Sequence, residues 1–236
     1  MSDSKHDLQS GQRSQEIHAF LEQVARAPVS ANAGRGRLIF AIDATASREP
    51  TWDQASHLQA EMFDAAAALG GLQIQLAYYR GHREFHAGDW LADAPALLQQ
   101  MTAVSCRGGL TQLERVLRHG AVESARSPVN ALVFVGDCIE ENPERLYRSA
   151  GELGLRGTPA FMFLEGHDRR AQRCFAEIAR ITRGAFGRFD SGSARQLREL
   201  LTAVAVYASG GKTALRQLAA SSSSNLRQLA HQLEGR

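Results

Sequence analysis

The sequence predicts an α/β fold: an open, doubly wound, mostly parallel six-stranded sheet with helices on both faces, plus N- and C-terminal helices. Three observations predict it. Short apolar runs of strand length alternate with helical patterns of ten or more residues, the signature of strand–helix–strand units. Two of those runs, Leu38–Ile42 and Ala131–Val135, are apolar throughout, as central strands covered on both faces must be. Both then lead into an aspartate, Asp43 and Asp137. In such sheets ligands gather at the carboxyl ends of the strands, where the strand order reverses.

Residues 1–36 are expected to form a disordered N-terminus carrying an amphipathic helix and a linker. Within it, Ile17, Phe20, Leu21 and Val24 recur at helical spacing over 14–27, and an Ala-, Asn-, Gly- and Ser-rich stretch follows. The main domain is expected over 37–208. Strand one covers 37–43. A helix over 51–69 sets Trp52, Leu58, Met62, Phe63 and Ala66 on one side and stops at Gly70-Gly71. Strand two covers 72–79, and a short strand at 83–86 folds back on it as a hairpin. Residues 90–102 read as a helix, 103–110 as a loop and 111–125 as another helix. Strand four covers 130–136, and the helix over 143–153 opens on Pro143, a favoured first-turn position. Strand five (159–164), a helix (168–182), strand six (185–189) and a last helix (193–208) complete the domain. Residues 209–236 form a helical tail.

Composition narrows the function. The chain has 236 residues, 44% of them hydrophobic, enough for one substantial core. Basic and acidic residues nearly balance, 27 against 25, unlike the strong basic excess of domains built for nucleic acid. No apolar run approaches the roughly 20 residues a membrane span needs. The polar N-terminus lacks the apolar core of a secretory signal, so a cytoplasmic location is expected. Cys106, Cys138 and Cys174 are scattered, consistent with reduced thiols, and no Cys/His spacing suits zinc.

The chemistry concentrates in oxygen side chains. Asp43, Thr45 and Ser47 in DATAS lie where strand one leaves the sheet; Thr111 lies in the glycine-rich loop GGLTQ; Asp137 follows strand four in GDC. Two carboxylates and three hydroxyls suit a hard divalent cation such as Mg²⁺, or Mn²⁺ or Ca²⁺ in its place. This pattern resembles the von Willebrand factor type A (vWA) domain and its metal-ion-dependent adhesion site. There the signature is Asp-x-Ser-x-Ser after strand one, a threonine in a glycine-rich loop and an aspartate after strand four. Thr45 replaces the first serine and keeps its hydroxyl. Leu110 separates Thr111 from the glycines, a departure that bears on the position of that hydroxyl.

The resemblance covers residues 37–208. It implies a non-enzymatic, intracellular interaction module of bacterial type. In such a module the metal engages an exposed carboxylate of a protein partner, with ATPases or assembly machinery as a partner class. Two other readings are open. One is a metal-dependent hydrolase of a phosphorylated or ester substrate, with Glu140 or Glu141 as its base. The other is a structural oligomerisation protein with a vestigial metal site.

Other motifs carry less. Gly210-Gly211-Lys212-Thr213 matches only the end of a phosphate-binding loop, with Val206 where the leading glycine belongs. His82 and His86 read as exposed edge residues, and Cys138 as an inert thiol. The string Leu-Arg-Gln-Leu-Ala occurs at 215–219 and again at 226–230, eleven residues on, close to three helical turns. The serine run 221–224 is expected to break that tail, with Ser224 capping a second short helix. Leu215, Leu218, Leu226, Leu229 and Leu233 then either pack back on the domain or serve self-association.

Overall fold

The computed structural model describes residues 19–24, 27, 35–67, 71–189 and 194–234, the last segment with side chains only as far as Leu218. The expected disorder of 1–13 and most of the linker lie outside the described residues. A helical stretch at 19–24 (α1) precedes strand β1 (Gly36–Asp43). The chain continues through a 3₁₀ turn (Ala46–Arg48) into α2 (Glu49–Ala67), β2 (Leu72–Arg80), β3 (Glu84–Leu91), α3 (Ala94–Thr102) and α4 (Leu113–Arg126). It ends with β4 (Ala131–Gly136), α5 (Pro143–Leu155), β5 (Ala160–Glu165), α6 (Arg169–Ile181), β6 (Ala185–Phe189) and α7 (Ala194–Glu234).

The six strands lie in the order β3-β2-β1-β4-β5-β6, all parallel except β3, as expected. Side chains alternate across a strand, so β1 feeds two cores. Leu38, Phe40 and Ile42 face a layer that includes Phe20, Trp52, Met62 and Leu201, contributed by α1, α2 and α7. Ile39 and Ala41 face Leu117, Leu146 and Phe175 from α4, α5 and α6. Covering both faces buries β1 and β4 along nearly their whole length. It also leaves the carboxyl ends of those neighbouring strands at one edge of the sheet.

Several boundaries differ from expectation. The hairpin strand is longer, because Trp90 is a strand residue and no part of a helix. Its ring lies under the Arg37 guanidinium, 3.8 Å from the centroid, and its indole N–H donates to Glu123 at 3.0 Å. The helix starts later, where the Asp93 side chain accepts the Ala96 N–H and Pro95 occupies the first turn. Helix α4 begins at Leu113, so Thr111 stays in the loop. At the C-terminus the break falls at Gly211, with φ 66° and ψ −162°, and the helix runs through the serines. Serine costs a helix only a few tenths of a kcal/mol, whereas this left-handed backbone suits glycine. Leu215 is buried and Leu218 packs on the core, as one of the two tail readings expected. The side chains of Leu226, Leu229 and Leu233 lie outside the described residues.

Glu123 organises the β3 edge. It pairs with Arg37 at 3.6 Å and Arg126 at 2.8 Å besides accepting from Trp90. Burial pushes its carboxyl up, but the Trp90 N–H, His119 and Arg126 together outweigh burial and hold it below the usual carboxylate range. With a depressed native pKa, its stabilisation is fully present above the unfolded value and is lost as pH falls through the native one. Glu123→Gln is therefore expected to cost about 1.5 kcal/mol at neutral pH. Urea unfolding should show that difference shrinking under acid conditions.

Candidate metal centre

Asp43 ends β1, fully buried, and register places Tyr79 of β2 directly beside it. The Tyr79 hydroxyl donates to Asp43 Oδ2 at 3.0 Å, and the Thr45 N–H donates to Oδ1 at 2.8 Å. Burial raises the Asp43 pKa, the Asp137 charge adds to it, and the bonds from Thr45 and Tyr79 oppose it. The turn after Asp43 brings the Thr45 and Ser47 hydroxyls within 3.4 Å of each other. The Ser47 hydroxyl then donates to Asp137 Oδ2 at 3.1 Å, across from the end of β4. Four of the five residues singled out in the sequence are thus linked in one hydrogen-bonded chain, Asp43–Thr45–Ser47–Asp137.

Thr111 stands differently. Its hydroxyl accepts the Glu140 N–H at 3.0 Å, while its own N–H donates to Glu140 Oε2 at 2.8 Å. This reciprocal pair ties the glycine-rich loop to the segment after Asp137. Glu141 extends the tie, its two carboxylate oxygens accepting the N–H groups of Leu113 and Glu114 at 2.7 and 2.9 Å. It caps α4 from outside, satisfying donors that the helix itself leaves unpaired and placing negative charge at its N-terminus. Gln112, the residue before the helix, gives no side-chain cap.

Among the described residues no three His, Cys, Asp or Glu side chains are grouped to hold a metal, so any site rests on two carboxylates and hydroxyls. Asp137 Oδ1 is buried with no hydrogen-bond partner among the described residues. Such an orphaned carboxylate oxygen is costly unless something positive meets it. Two carboxylates linked through hydroxyls, one of them with an unmet oxygen, fit a hard cation. Cys138, beside Asp137, is a poor ligand: burial and the Asp137 charge push its thiol up to about 12.

Tyr79 is the residue that sequence reasoning missed. Its signal was available only through register, as the residue of strand two level with Asp43. His82 and His86 are both exposed, and the His86 ring lies tilted against Tyr78 with centroids 5.1 Å apart.

No family model matches the chain, and no curated protein matches its sequence. Solved structures do. A von Willebrand factor type A protein from Catenulispora acidiphila superposes with TM-score 0.58 at 17% identity, covering 77% of this chain and 48% of that one. The SpRpn10 VWA domain superposes with TM-score 0.56 at 12% identity, covering 72% of this chain and 95% of that one. Proximal thread matrix protein 1 from the mussel byssus, with a zinc-occupied metal-ion-dependent adhesion motif, gives 0.57 at 13% identity, covering 73% and 48%. The chain thus spans about half the length of the first and third of these proteins. With the six-stranded sheet and its strand order, these likenesses show that the chain has the fold of a von Willebrand factor type A domain.

Proposed function

We propose that this protein is an interaction module that binds one divalent cation, Mg²⁺ by preference, and through it an exposed carboxylate of a protein partner. Asp43, Thr45, Ser47 and Asp137 would hold the ion, with the Thr111 hydroxyl, which already accepts from Glu140, as a fifth donor. The observation that carries the reading is the orphaned Asp137 Oδ1 at the end of a carboxylate–hydroxyl chain. A bound Mg²⁺ would supply a Lewis-acidic position for an anionic oxygen, since the ion favours six oxygens and the protein offers fewer that are negative. The zinc-occupied motif in the mussel protein supports a cation on this fold.

The geometry favours binding over hydrolysis. Glu141 has both oxygens engaged in capping α4, and burial raises its pKa. Glu140 holds Thr111 in place. Glu141 is thereby committed to the helix, and Glu140 engages the Thr111 N–H through Oε2. An ATPase or assembly complex as partner belongs to the same proposal.

Calorimetric titration with magnesium chloride tests the reading. The wild type is expected to bind one ion per chain, and Asp137→Asn to weaken that at least about a hundredfold, beyond the loss seen when only an outer partner of a ligand is removed. Silent titration of well-folded wild-type protein would reject it.

A further inference from the structure

Beside the oxygen cluster lies a cavity of about 420 Å³ that the metal reading does not use. It opens between the β2–β3 turn and the segment entering α4, and it shares Thr111 with the candidate metal centre. Its unspent groups are donors and cations. Gln112, which lines it, is only 9% exposed. Its amide orientation is fixed chemically: Arg115 Nη1, which can only donate, lies 2.8 Å from Oε1. That leaves Gln112 Nε2 as the donor, buried and without a partner among the described residues.

At the mouth, His82 and Arg83 are exposed, and no hydrogen bond or ion pair among the described residues engages either side chain. The acidic lining groups are spoken for. Glu141 accepts two backbone N–H groups, and Glu114 pairs with Arg145 at 2.8 Å. Leu110, 62% exposed, adds an apolar rim. A buried free N–H and an unpaired guanidinium select an acceptor, most strongly a carboxylate, and Leu110 favours an apolar neighbour to it.

We propose that this cavity is a second subsite for the protein partner: a peptide segment carrying two carboxylates binds with one at the metal and the other against Gln112 and Arg83, with an apolar residue over Leu110. The inference rests on the metal-bridged reading above and adds what the partner must look like. Two linked contacts also reinforce each other, because the second forms at high effective concentration once the first is made.

Fluorescence anisotropy with two labelled peptides tests it, Gly-Gly-Asp-Gly-Gly and Gly-Asp-Leu-Glu-Gly, in millimolar magnesium. The wild type is expected to prefer the diacidic peptide about tenfold or more, the worth of one charge-assisted contact. In the double variant Arg83→Gly/Gln112→Leu that preference should vanish, while calorimetric magnesium affinity stays unchanged. Arg83 has φ 63°, a conformation glycine adopts without cost, so the first change removes the guanidinium and does not burden the fold. Asp137→Asn should weaken both peptides. A wild type that does not discriminate, or a double variant that still does, overturns the subsite. Magnesium binding with no diacidic preference overturns the subsite and leaves the metal reading standing. A preference that survives EDTA and Asp137→Asn overturns the two-point form and, with silent magnesium titration, the metal reading as well.

Discussion

Phe134→Ala is expected to lower the free energy of unfolding by about 3–5 kcal/mol, the range for removing a fully buried aromatic ring. The ring sits mid-sheet in β4, where the surroundings relax only in part into the void. It stacks on Tyr79 at 6.2 Å between centroids and meets Phe175 edge-on at 5.4 Å. Gly136 makes room for it, since a Cβ there would come within 2.8 Å of the Phe134 ring. The consequence reaches the site. Tyr79 donates to Asp43, so loosening its ring frees the carboxylate that begins the oxygen chain. Magnesium affinity should therefore fall even in the fraction that stays folded. Tyr79→Phe separates the two effects: it keeps the stacked ring, removes the hydroxyl and is expected to cost about 1.5–2.5 kcal/mol. Urea unfolding followed by Trp52 and Trp90 fluorescence, with magnesium titration of each variant, checks both. A loss under about 1 kcal/mol for Phe134→Ala would mean that the layer of α4, α5 and α6 repacks around the gap.

What could be read in the sequence depended on how local its cause was. Strands β1 and β4 were legible because burial on both faces demands unbroken apolar runs, and Asp43 and Asp137 stand out where those runs end. The order of the strands followed from alternation with helices and short connections. Trp90 suits a helix as well as a strand in sequence, because a tryptophan near an apolar run fits either period. Its partners, Arg37 and Glu123, come from β1 and α4, distant in sequence. Composition marks the serines as the break in the tail, while the deciding quantity is one backbone angle, at Gly211. Thr111 lies in a loop without periodicity, and the inserted Leu110 gave no measure of where the hydroxyl would go. Its pairing with Glu140, the Tyr79 bond to Asp43 and the unmet Gln112 donor all require register or tertiary contact. None leaves a mark on the residues immediately around it.

Gly109→Ala should cost about 3 kcal/mol, although Gly109 is exposed. A Cβ at this position would lie 2.1 Å from the Gly81 carbonyl oxygen, and 2.7 Å from its carbon. Both are backbone atoms, so no side chain can swing aside. Either the glycine-rich loop or the β2–β3 turn must move. The two are joined there, since the Gly81 N–H donates to the Arg107 carbonyl at 3.4 Å and the Arg107 N–H to the Ala44 carbonyl at 3.0 Å. Pushing the loop outward strains the bonds that tie it to the turn and to Ala44, the residue after Asp43, so both magnesium and diacidic-peptide binding should weaken with stability. Gly108→Ala is the matched control. Nothing lies within 4 Å of a Cβ at that position, and neither glycine occupies the left-handed region. Its expected effect on stability is within about 0.5 kcal/mol. Urea denaturation midpoints of the two variants decide the matter: equal midpoints would show that the loop does not press on the turn. The glycines would then owe their place to flexibility, with no part in the close approach that shapes the site.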